Sequence, residues 1–348
     1  MSREAADVGG SGPRSVALTT LKRFAPWIVA AAILYFVFER VPLGDAWGAA
    51  REANLVLFIP LMAGSVLLWF LIDSAAFSFL FTRFNARLEW SEARSLRGMT
   101  YLLTPINWNL GTAAVVLHLR SSKQIGAIES TSTLILYQMV DGMVLGSFAL
   151  AGLMLLPDDS DGASLRNVVI GFVIFQFASL AILVSNWPRF QIFDRIRGIG
   201  LFRSHRAAMW RDVLVLVLLK GLYFGVFVGV FWLGGQAFGV TLPIGLAAAA
   251  TPVILMAGAL PITPAGLGTQ QAAMLYFFSA YGAEASILAL GLCFPVALLC
   301  LRAVVGAAYL KDLPKLRAAI AEQRAASANE PSAPPPSPTV DESARSEP

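Results

Sequence analysis

Apolar residues in this chain run in long blocks, not in the stripes of a surface helix or the alternation of a half-buried strand. A helix needs roughly twenty apolar residues to cross a bilayer. Blocks of that order recur at 55–81, 131–156, 167–187, 213–233 and 285–310, and shorter ones cover 24–38, 242–260 and 268–280. Lys22 and Arg23 precede the first block. Glu39-Arg40-Val41-Pro42 follows it instead of a small-residue cleavage site, so the block reads as an uncleaved span, not a signal peptide.

Two stretches break the pattern. Residues 260–273 read LPITPAGLGTQQAA, with Pro261, Pro264, Gly266 and Gly268 inside an otherwise apolar run. Proline removes a backbone donor and clashes with the preceding turn, while glycine opens backbone angles closed to other residues. Residues 96–119 are interrupted by Pro105, Asn107, Asn109 and Gly111. In hydrocarbon, freed backbone groups are tolerated only where protein buries them or where they line a watery cavity. Paired broken segments in corresponding halves therefore point to a transport site. The two stretches also echo one another: Thr104-Pro105 then Leu110-Gly111-Thr112-Ala113-Ala114, against Thr263-Pro264 then Leu267-Gly268-Thr269 and Ala272-Ala273. Basic residues flank the first on both sides (Arg97; Arg120 and Lys123), as a segment that enters and returns requires. A tight interhelical turn is the competing reading of the second.

The expectation is an all-α integral membrane protein, a polytopic bundle of about eight transmembrane helices with two broken or re-entrant segments at about 96–119 and 260–273. Composition agrees: 57% of residues are hydrophobic and 14% charged, a membrane composition that leaves no room for a sizeable soluble enzyme. Residues 1–20 read as a disordered leader, 21–315 as the membrane domain and 316–348 as a disordered tail. Cys293 and Cys300 share one apolar segment, so a structural disulfide is not expected and both read as packing residues. His118 and His205 lack metal-ligand spacing, so no metal or other cofactor is expected. Nothing in the chain suggests nucleic-acid binding. Gly221, Gly225 and Gly229 offer a face for close helix approach.

Charge sets the orientation. The leader and the 82–97, 188–211 and 311–317 stretches are basic, whereas 39–54 and 157–166 lean acidic, so both termini are expected in the cytoplasm. The 188–211 loop carries Arg189, Arg195, Arg197, Arg203, Arg206 and Arg211, with Phe190, Phe193 and Ile196 at helical spacing. It is either a solvated topology-setting loop or a surface segment that meets anionic lipid headgroups. Asp73, Asp141, Lys220 and Arg302 fall at similar depth in the cytoplasmic half. Unpaired intramembrane charge costs about 2.5–3.5 kcal/mol even on the lenient insertion scale. Pairing among the four is therefore expected; otherwise Lys220 and Arg302 snorkel to headgroups.

The stretch P-A-G-L-G-T-Q-Q-A-A resembles the P-G-G-L-G-x-x-E-A signature of the flippase-like membrane family typified by the transmembrane region of lysylphosphatidylglycerol synthase. Pro264, Gly266, Leu267 and Gly268 match; Ala265 replaces the first glycine and Gln271 the glutamate. Pro105, Leu110 and Gly111 remain of the family's P-x-R-x-G-E motif, with Thr112 in the glutamate position. The E-R-x-x-D pattern becomes Tyr137-Gln138-Met139-Val140-Asp141 and keeps the aspartate alone. The resemblance implies flipping or handling of lipid-linked substrates in the cytoplasmic membrane. The neutralised positions favour a less charged or glycosylated lipid, or a non-transporting envelope scaffold that retains the fold.

A polar headgroup moving through hydrocarbon needs hydrogen-bond partners. The candidates are Gln138, Asp141, Gln270, Gln271, Asn107 and Asn109, with Pro105, Pro264, Gly266 and Gly268 opening the backbone. Asp141 is placed to hold a cationic headgroup. No catalytic carboxylate pair, histidine cluster or serine with an evident base suggests an enzyme. A homo-oligomer or an envelope protein partner is compatible with all of this.

Overall fold

A computed structural model describes residues 31–103, 108–154, 160–185, 190–259, 263, 266 and 268–310. The expected leader and tail, and Pro105, Asn107 and Pro264 among the candidate residues, lie outside these. A helix over 31–40, α1, is followed by α2 (Leu43–Glu52), α3 (Leu55–Phe84), α4 (Trp90–Leu103), α5 (Trp108–Lys123), α6 (Ala127–Leu153) and α7 (Ser160–Val184). Then come α8 (Gln191–Gly198), α9 (Arg203–Ala207), α10 (Trp210–Ala237), α11 (Ile244–Ala259), α12 (Thr269–Phe278) and α13 (Glu284–Ala307). Within α3, α6, α7, α10 and α13 lie five stretches long and apolar enough to cross a membrane.

Polar contacts define the two ends of the bundle. At one, the basic end, Arg83 Nε lies 3.2 Å from Asp212, joining the foot of α3 to the start of α10. Thr133 on α6 donates to Asn85 Oδ1 (2.6 Å). At the opposite end the Asn54 N–H donates to Ala237 O (2.7 Å), and Arg40 Nε to Glu284 Oε2 (2.9 Å). Between them α3 and α10 pack along their lengths. The rings of Trp69 and Phe227 stack at 4.0 Å, and Trp69 Nε1 donates to Tyr223 O (3.0 Å).

The broken stretches are two helical hairpins, one entering from each end. The feet of α4 and α5 meet at the basic end, where Lys123 Nζ lies 2.7 Å from Glu92 Oε1. Their 14 and 16 residues rise about 21 and 24 Å, short of a hydrocarbon core of about 30 Å. The feet of α11 and α12 meet at the opposite end, where the Thr241 N–H donates to Tyr281 O (3.1 Å). Their 16 and 10 residues rise about 24 and 15 Å. The stretches 242–260 and 268–280, expected as crossings, are thus the two arms of an entering-and-returning pair. Such a pair leaves the expected sidedness of the other described helices unchanged.

The glycine face of α10 is a second difference. A Cβ at Gly221, Gly225 or Gly229 would meet nothing within 4 Å, so no helix among the described residues approaches there. Four-residue spacing shows which face can be approached, not that a neighbour exists. Close approach occurs instead at Gly152, where an added Cβ would stand 2.1 Å from Ala249 O and 2.6 Å from Ala249 Cα, pressing α6 against α11. Cys300, expected in packing, is exposed, while Cys293 is half-buried and both thiols are free.

The described part of the 188–211 stretch, from residue 190, is not a fully solvated loop. Ser204 and His205 are buried against α6: the Ser204 N–H donates to Ser132 Oγ (2.9 Å), and His205 Nε2 lies 3.3 Å from Met139 Sδ. Burial lowers the His205 pKa from 6.5 to about 4. A base that resists protonation when folded stabilises fully above pH 6.5, and that stability is lost as pH falls from 6.5 towards 4. Over that window we expect the protein to lose roughly 2–4 kcal/mol through this site. Acid-dependent unfolding in detergent should flatten in His205→Leu, and an unchanged slope would contradict the assignment.

Candidate functional site

Asp73 is the centre of the site. It sits 18 residues into α3, about 27 Å from that helix's start, and its side chain is only 2% exposed. A carboxylate so deep needs partners from other helices, and three supply them. Arg97 of α4 forms an ion pair with Oδ2. The Tyr137 hydroxyl of α6 donates to Oδ1 (2.5 Å). Lys220 of α10, 3% exposed, donates to the same oxygen (3.2 Å) and to the Tyr137 hydroxyl (2.6 Å). Lys220 Nζ also lies 2.7 Å from Asp141 Oδ1, one turn beyond Tyr137 on α6. One ammonium thus links two carboxylates and a phenol.

Aromatic faces complete the shielding of the cations. Lys220 Nζ lies 3.9 Å from the Tyr137 ring centroid and 4.6 Å from that of Tyr223. Arg97 lies 4.7 Å from the Phe77 centroid, and Arg302 5.0 Å from that of Tyr101. Such contacts strengthen where charge is desolvated.

The cluster opens on a polar pocket of about 110 Å³, lined among others by Gly111, Thr112, Gln138 and Asp141. Asp141, with 29% of its side chain exposed, is the more accessible carboxylate. Gln138 and Asp141 share one face of α6, three residues apart, and both reach the pocket. The wall from α5 places the first broken stretch at the site. A larger apolar hollow of about 660 Å³ lies between α2, α3 and α13, lined by residues such as Trp47, Phe58 and Val296, and has almost no polar surface.

The second broken stretch stands elsewhere. Gln271, expected to face a headgroup, is buried with both ends of its amide engaged. Its Oε1 accepts from the Gly268 N–H (2.8 Å), and its Nε2 donates to Gly291 O (2.9 Å). It caps α12 and ties it to α13. Gln270 lies over Gly258, where a Cβ would come 3.5 Å from Gln270 Oε1. Gly266 and Gly268 hold positive φ, +71° and +87°. None of these four lines the polar pocket. Asn109 is the second residue of α5, and Pro105, Asn107 and Pro264 fall outside the described residues. Gln271→Glu would keep the acceptor for Gly268 but turn a second oxygen on the Gly291 carbonyl. We expect a loss of about 1–3 kcal/mol, read as a lowered melting temperature in detergent; an unchanged melting temperature would contradict the strut.

Three residues of the cluster escaped the sequence reading. Arg97 read as the flank of a basic loop, although Leu96 and Met99 beside it are apolar and buried. Tyr137 stands where the resembling family carries glutamate, and it fills that place with a neutral hydroxyl relay. Tyr101 had no signal beyond its position one turn after Arg97.

A family model described as "Lysylphosphatidylglycerol synthase TM region" matches residues 15–306. A comparison with curated proteins gives no match.

Proposed function

The chain belongs to the family defined by the transmembrane region of lysylphosphatidylglycerol synthase, a multi-pass membrane protein of lipid-related kind, and we propose that it binds the polar headgroup of a membrane lipid and moves it across the cytoplasmic membrane. The observation that carries this reading is the ionic cluster of Asp73, Lys220 and Asp141 opening on a pocket deep between the helices. A purely structural cluster has no need of an open face. A headgroup crossing hydrocarbon does need one, because unsatisfied polar groups there cost several kcal/mol. Gln138, Asp141 and Thr112 are the groups we assign to headgroup contact, with the α4–α5 hairpin as the wall that moves.

The remaining parts of the reading follow from charge. The basic end faces the cytoplasm together with both termini. Phe190, Ile196, Arg195 and Arg206 are exposed at that end and meet anionic headgroups along α8 and α9. The role is non-enzymatic.

Reconstitution tests it. Vesicles holding the protein and a headgroup-labelled fluorescent lipid are treated with a membrane-impermeant quencher. Protein-dependent exposure of inner-leaflet label that is lost in Asp141→Asn is expected. The alternative is a non-transporting envelope scaffold, favoured by the pairing of Asp73 with both Arg97 and Lys220. Label that stays protected, with wild type and variant alike, would select the scaffold.

A further inference from the structure

The polar pocket holds three cations against two carboxylates: Arg97, Lys220 and Arg302 face Asp73 and Asp141, leaving one excess positive charge. Both carboxylates already face a cation, although Asp141 Oδ1 makes an ion pair with Lys220 and no hydrogen bond. Asp141 lies against Lys220, and Asp73 is held by Arg97, Tyr137 and Lys220. A cationic headgroup at Asp141 would have to displace Lys220. The donors left over tell the opposite story.

Arg302 has no carboxylate partner among the described residues, and its Nε has no hydrogen-bond acceptor. The Tyr101 hydroxyl, on a residue only 4% exposed, and Arg97 Nε also lack one. All three side chains line the same pocket, with Arg302 against the Tyr101 ring. Burying such donors without an acceptor costs about 1–3 kcal/mol each, more when charged. Their arrangement suits a tetrahedral oxyanion, because guanidinium presents several N–H groups in a rigid fork and phenol adds an O–H. One excess charge matches one phosphodiester.

We infer that this pocket is a phosphate site, in which Arg302 and Tyr101 bind the singly charged phosphate of the lipid that enters it. This rests on the lipid-handling reading above and names the part of the lipid that is recognised. Gln138 and Asp141 then face whatever the phosphate carries.

The test is retention of added lipid by the purified, detergent-solubilised full-length protein, followed by intact-complex mass spectrometry. The probes are phosphatidylglycerol, a glucosyl diacylglycerol without phosphate, and inorganic phosphate alone. Wild type is expected to retain phosphatidylglycerol at least about tenfold better than the neutral glycolipid. Arg302→Gln should abolish the preference, and Tyr101→Phe, which removes one hydroxyl, should reduce it. If Arg302→Gln misfolds, the Tyr101→Phe result decides. Stabilisation by inorganic phosphate alone, lost in Arg302→Gln, would support the same site with a free ion as its source. Equal retention of both lipids, unaltered by either substitution, would overturn the phosphate site and leave lipid handling intact. Retention of no lipid at all, together with no response to inorganic phosphate, would overturn both.

Discussion

Asp73→Asn is expected to lower the unfolding free energy by about 3–5 kcal/mol, the cost of removing one partner from a buried ion pair. The size follows from what is left behind. Arg97 and Lys220 both point at the position, and asparagine cannot neutralise either. It also presents an amide where the Tyr137 hydroxyl now donates. The same geometry orders the neighbouring substitutions. Lys220→Met should cost less, because Asp73 keeps Arg97 and Tyr137. Asp141→Asn should cost least, because its carboxylate is part-exposed and Lys220 keeps Asp73. Denaturant unfolding in mixed micelles reads the order directly. Asp73→Asn no more destabilising than Asp141→Asn would mean that the cluster does not centre on Asp73.

Gly266→Ala is the second large effect. At φ +71° an L-residue is strained by about 1–2 kcal/mol. The added methyl would stand 2.5 Å from Gly258 O and 2.7 Å from Gly258 Cα. Those are backbone atoms, so no rotamer change relieves the overlap, and crowding of this kind costs about 1–3 kcal/mol more. Together a loss of about 2–5 kcal/mol is expected. It should be concentrated in the α11–α12 hairpin and read as faster amide exchange there. Gly221→Ala is the matched control: nothing lies within 4 Å of its Cβ, and its effect should stay within about 0.5 kcal/mol. Equal effects at the two positions would remove the close approach of the hairpin arms from the account.

These expectations also separate what the sequence made legible from what it did not. Long apolar blocks produced α3, α6, α7, α10 and α13 with ends displaced by at most seven residues, because lipid exposure removes the ambiguity that periodicity leaves in soluble helices. The same energetic argument brought Asp73, Asp141 and Lys220 to one depth, where they meet. Re-entry of the first broken stretch was legible from its basic flanks. For 242–280 the break at 260–273 was legible but its two short arms were not, since α11 is apolar enough to pass for a crossing and only its rise falls short. Gln271 was misread for a related reason. A glutamine in a broken membrane helix suggests ligand contact, and its role as a strut depends on the Gly291 carbonyl lying against it, twenty residues away. Arg97 was hidden by composition: α4 carries enough charge to resemble a loop, although it inserts its arginine between Asp73 and the rings of Phe77 and Tyr101. The grouping of both broken stretches into one site fails on that same geometry. The α4–α5 hairpin lines the pocket, whereas the α11–α12 hairpin braces α13.

The measurement that bears most directly on the pocket as a lipid site is the inventory of lipids that co-purify with the full-length protein. It should compare wild type with a Gln138→Ala, Asp141→Asn double variant by mass spectrometry. Both substitutions lie on the pocket wall, outside the contacts that hold Asp73, so the variant should fold. One lipid class enriched over the bulk membrane in wild type and lost in the variant is the predicted result. Identical bulk-membrane profiles in both proteins would contradict it.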